Sequence, residues 1–147
     1  MSHLARETLI SAAINAAISV AFFLLVFGAS ARVPVQGIGN YAFDFLPQSF
    51  AIGFMATLVP GLLARRALAA GRRSGPTPAI PHAGVVVRRA AANGMLALVI
   101  GGGLCAAVLW ASGVQDIGWA PAFTGKVLYG GAQGALVTAI SLNRILR

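Results

Sequence analysis

The sequence predicts an all-α membrane protein of four transmembrane helices, laid out as two tandem helical hairpins in one integral membrane domain, 1–147. Three observations carry that prediction. Only 10% of the residues are charged and 58% are hydrophobic, against roughly 25% charged in a soluble domain, so too little polar surface remains to cover a water-exposed globule. Four apolar stretches each reach about 20 residues, enough at ~1.5 Å per residue to cross a ~30 Å hydrocarbon core. The arginines gather at alternate ends of those stretches, as the positive-inside rule requires.

The first stretch, 8–29, follows Arg6 and precedes the small-residue run Ala29-Ser30-Ala31, which imitates a secretory signal. Its apolar run exceeds the ~7–15 residues of a signal core, so a permanent helix is expected. Residues 32–40 hold Pro34, Gly37 and Gly39 and read as a turn. The second stretch, 45–64, begins beside Asp44, whose carboxylate is expected to meet free backbone N–H groups and the positive end of the helix dipole. Pro47 suits a first helical turn, whereas Pro60, before Gly61, predicts a kink. A linker at 70–84 carries Arg72, Arg73, Pro76, Pro78 and Pro81 and divides the hairpins 7–69 and 85–147. The third stretch, 90–111, has Arg88 and Arg89 snorkelling at its edge. A turn at 112–118 and Trp119 lead into the fourth, 122–142.

Nine of the eleven basic residues fall on the side that holds both termini and the linker, leaving Arg32 and Lys126 on the other. Cytoplasmic termini in a bacterial inner (plasma) membrane are therefore expected, with Tyr41 and Trp119 at the outer interface. A net charge of +8 also raises nucleic-acid binding, but no aromatic residues interleave with the arginines as a stacking surface needs. The expected partners are the lipid bilayer and either a second copy of the chain or a larger membrane complex, with no nucleic acid.

A shift of 78 residues pairs Asn15 with Asn93, Phe45 with Phe123, Gly53 with Gly131, Leu58 with Leu136 and Arg66 with Arg144. That pattern suggests a duplicated hairpin; two unrelated hairpins obeying the same membrane rules are the alternative. A duplication would relate the halves by a two-fold axis along the membrane normal, the parallel rather than the inverted type of repeat. The Trp119-x-x-Ala122-Phe123 opening and the Pro60-x-x-x-x-Arg65-Arg66 close resemble those of small bacterial two-helix membrane proteins of unknown function, a resemblance that implies no substrate or role.

Glu7, Ser11, Asn15 and Ser19 share one face of the first helix, and Arg89, Asn93, Ala97, Gly101 and Cys105 share one face of the third. Asn15, Gln48, Asn93, Lys126 and Gln133 either border a polar path or serve as interhelical contacts. Asp44 and Lys126 are expected to approach as an outer-leaflet ion pair, read either as a gate or as a helix cap beside a snorkelling lysine. Gly130, Gly134 and Thr138 form a small-residue packing ridge, internal or homodimeric, and Gly101-Gly102-Gly103 thins the third helix.

Cys105 is the single cysteine, read as a small buried apolar side chain, and His3 and His82 stand alone, so no metal site or cofactor is expected. Neither a Ser/His/Asp set nor a phosphate-cradling loop is present, and no catalytic residue is expected. Two functions follow as expectations: a non-catalytic accessory, scaffold or oligomerising membrane subunit, and a minimal transporter or channel for a small solute or ion.

Overall fold

A computed structural model describes residues 3–70 and 82–146. Most of the linker, with Arg72, Arg73, Pro76, Pro78 and Pro81, lies outside the described residues, as does Arg147. The described residues form four helices: α1 His3–Phe27, α2 Tyr41–Ala69, α3 Ala83–Ala111 and α4 Trp119–Leu146. Within α3, Leu98–Gly102 adopts a π-turn, where the run of three glycines begins. Glycine ends two of the helices. Gly28 (φ +59°) follows α1, its N–H donating to Leu24 O at 2.9 Å, and Gly113 (φ +69°) follows α3; both take the left-handed conformation that glycine adopts without a Cβ penalty.

Three helical segments, Thr8–Phe27, Tyr41–Leu63 and Ala83–Ala111, are long and apolar enough to cross a membrane. α4 is as long, at 28 residues, but is not among them. It carries Lys126, Gln133 and Thr138 inside its length, and Lys126 and Thr138 are turned inward to 1% and 3% exposure.

The two segments read as turns are more ordered than turns. β1 Arg32–Pro34 and β2 Asp116–Gly118 pair as an antiparallel two-stranded ribbon, with Arg32 opposite Gly118 and Pro34 opposite Asp116. Val35 N–H extends the ladder to Gln115 O at 2.8 Å, and Arg32 pairs with Asp116 across it. Val33 is fully buried beneath, on a cluster of Phe23, Phe27, Tyr41, Phe45 and Ala122. The ribbon thus ties the two hairpin tips together over the aromatic core, and marks one end of the molecule as the sheet end.

The helices do not pack as two self-contained hairpins. α1 lies along α4, α4 against α2, and α2 along α3, while α1 barely touches α2. The first helix of each hairpin therefore packs on the second helix of the other, and the hairpins interlock. Glycines allow the close approaches. A Cβ on Gly130 would run into Ser19 Oγ, and one on Gly134 into Asn15 Nδ2. Across the molecule, a Cβ on Gly53 would meet Ala97 Cβ at 2.6 Å, and one on Gly102 the Phe45 carbonyl at 2.6 Å. Small residues at these positions let the helix backbones approach to van der Waals contact.

Candidate functional site

The strongest electrostatic feature sits between α2 and α4. Lys126 Nζ donates to Asp44 Oδ2 at 2.8 Å, with Lys126 only 1% exposed. The ammonium also lies 3.8 Å from the Phe45 ring centroid and 5.2 Å from that of Tyr41, so ring faces take up part of the charge the carboxylate leaves. Asp44 occupies the first turn of α2, but its carboxylate turns to Lys126. The expected cap on free backbone N–H groups gives way to an interhelical bond, because a buried ammonium needs an anion more than a helix end does. Tyr41 Oη closes the site from above by donating to Ala122 O at 2.9 Å.

Below this pair a chain of polar groups joins α2, α1 and α4. Gln48 Nε2 donates to Ser19 Oγ at 2.8 Å, and Ser19 Oγ donates to Asn15 O at 2.8 Å. Asn15 Nδ2 donates to Ser11 O at 2.8 Å, and Thr138 Oγ1 donates to Ser11 Oγ at 2.6 Å. The i, i+4 spacing of Ser11, Asn15 and Ser19 aligns them along α4, where Gly130 and Gly134 leave room for them.

Asn93 belongs to the other helix pair. Its Nδ2 donates to Thr57 Oγ1 at 3.0 Å across α2 and α3. Gln133 stands apart again, facing α3: its Oε1 is buried with no hydrogen-bond partner, and its Nε2 lies against Gly101.

The five residues proposed for a polar path are therefore not brought to one interior. Asn15 and Gln48 sit in the α1–α4–α2 chain, Asn93 on Thr57, and Lys126 on Asp44. Only Asn93 and Gln133 share a cavity, a cleft of about 460 Å³ between α3 and α4 that is otherwise walled by apolar side chains such as Leu96, Ile100, Leu136 and Ile140. A second cleft of about 410 Å³ continues toward the sheet end, lined by Cys105, Leu104, Val108, Gly125 and Phe45, with Tyr129 common to both. Cys105, expected to be a buried core side chain, is half-buried at this cleft.

Sequence reading missed the pair Ser49–Tyr129, whose hydroxyls meet at 2.6 Å across α2 and α4, and missed Thr57. Helical spacing carried a signal for the first: Tyr129 lies one turn before Gln133 on one face of α4. Among the described residues no three His, Cys, Asp or Glu side chains gather where they would hold a metal ion. Comparison with protein families, with curated proteins and with solved structures gives no match for this chain.

Proposed function

We propose that the chain is an integral membrane protein that crosses the bilayer four times, with both termini cytoplasmic, and acts as a non-catalytic accessory or scaffold subunit. The observation that carries this reading is the internal pairing of its buried polar groups. Lys126 with Asp44, Gln48 with Ser19, Asn93 with Thr57 and Ser49 with Tyr129 each join one helix to another. Side chains spent on mutual bonds set the positions of helices; a conduction path needs them facing a shared water-accessible interior.

α4 serves as the fourth crossing in this reading, since its lysine is neutralised internally and its exposed positions include Leu128, Leu136 and Ile140. The interlocked packing supports a duplicated hairpin, because a two-fold relation turns the α1–α4 contact into the α3–α2 contact. The parallel sense of such a repeat fits a fixed scaffold better than the rocking of inverted repeats.

Photo-crosslinking from Leu128 in native membranes, together with size measurement in mild detergents, tests the proposal. A discrete adduct or a defined oligomer is expected. A chain that stays monomeric, captures no neighbour and conducts an ion or solute in liposomes in a way abolished by Lys126→Met and Gln133→Leu sinks it in favour of the channel reading.

A further inference from the structure

We infer that the groove between α3 and α4 is a binding site for one anionic glycerophospholipid of the leaflet at the linker end, its acyl chain lying along the groove and its phosphate at Arg89. The inference rests on the membrane reading above and adds a ligand to it.

The groove is long. The two clefts share Tyr129 and together run along α4 from Gly125 to Ile140, about 22 Å of helix. Its walls are mostly apolar side chains, the surface on which a hydrocarbon chain lies.

It lies where α3 stands off from α4 and carries small side chains. Under the 78-residue shift Gly101 and Cys105 fall on Phe23 and Phe27, the rings that fill the aromatic core beside α1. A Cβ on Gly101 would already stand 2.7 Å from Tyr129 Oη and 2.8 Å from Gln133 Nε2. The glycine lets Tyr129 and Gln133 close on α3 at the floor of the groove.

Charge fixes the polarity of the occupant. Arg89 lies one turn beyond Asn93 on the same face of α3, toward the linker end, and Arg88 beside it is exposed as well. No described acidic side chain pairs with either arginine within salt-bridge distance. Basic residues at the cytoplasmic mouth of a groove between helices are the arrangement that recognises anionic headgroups. Gln133, whose buried Oε1 has no hydrogen-bond partner among the described residues, places its amide at the groove wall.

Purified full-length protein is incorporated into nanodiscs of equal parts phosphatidylglycerol and phosphatidylcholine, released, and weighed by native mass spectrometry. Wild type is expected to retain one lipid, phosphatidylglycerol over phosphatidylcholine by about fivefold or more. Ala132→Phe, at an exposed position on the groove wall, should abolish retention, and Arg89→Gln should bring the preference close to one while retention persists. Helical circular dichroism and monodisperse elution check that each variant is folded. Equal retention of both lipids by wild type, or unchanged retention in folded Ala132→Phe, overturns the site. So does an Ala132→Phe variant whose only change is loss of a dimer, which would make a second copy the occupant. Failure of wild type to float with vesicles at all defeats the membrane reading itself, an outcome separate from the others.

Discussion

On one flank of the molecule α1 closes tightly on α4, and on the other α3 stands off from it. The closed flank is filled by Phe23, whose ring meets Trp119 and Phe123 edge-on at 5.7 and 5.5 Å, and by Phe27 beside Tyr41. Trp119 also donates from Nε1 to Gly28 O at 2.8 Å. The open flank has Gly101 and Cys105 at the positions 78 residues further on, and clefts in place of rings. Under the 78-residue shift the α1–α4 contact matches α3 on α2, and the α3–α4 groove matches the equally loose α1–α2 pair. The difference teaches that the fold does not depend on sealing both flanks: α3 is held instead by α2, through Gly53, Gly94 and Gly102.

The comparison can be broken most severely at the contact both flanks share. Lys126→Met leaves the Asp44 carboxylate buried without its cation and should cost about 3–5 kcal/mol, most of it recovered in Asp44→Leu/Lys126→Met; unfolding in detergent, followed by tryptophan fluorescence, measures both. If the single and double variants unfold alike, the pair is not the link between α2 and α4.

Phe23→Ala should open the sealed flank at a cost of about 3 kcal/mol, the lower range for a buried aromatic, whereas Ala132→Phe in the groove should leave stability within about 0.5 kcal/mol. Equal losses at the two sites would erase the distinction between the flanks. Gly130→Ala drives a methyl group into Ser19 and should cost about 1–3 kcal/mol, with α1 and α4 separating in a disulfide-trapping assay. The smallest effect belongs to the ribbon. Arg32→Ala removes an exposed ion pair, its side chains 76% and 41% exposed, and should cost less than about 1 kcal/mol, fading further as salt is raised.

The apolar rods were legible because length and hydropathy are local quantities, and the polar faces of α1 and α3 were legible because Ser11, Asn15 and Ser19 keep helical spacing. The ribbon was not. Its strands are three residues long, lie among prolines and glycines and show no alternation long enough to register; they exist because each hairpin tip supplies the other's partner. The unpartnered acceptor on Gln133 was equally invisible, since whether an amide finds a donor depends on which helix faces it.

What the amino-acid order determined alone was the set of helices, the clustering of arginine at one end and the polar stripes, all consequences of backbone hydrogen bonding and of solvent preference along a single segment. Which helix lies beside which was decided only in three dimensions. Interlocking, the burial of Lys126 against Asp44 and the groove beside Gly101 arise from the fit of one surface to another, and neither surface carries that fit by itself.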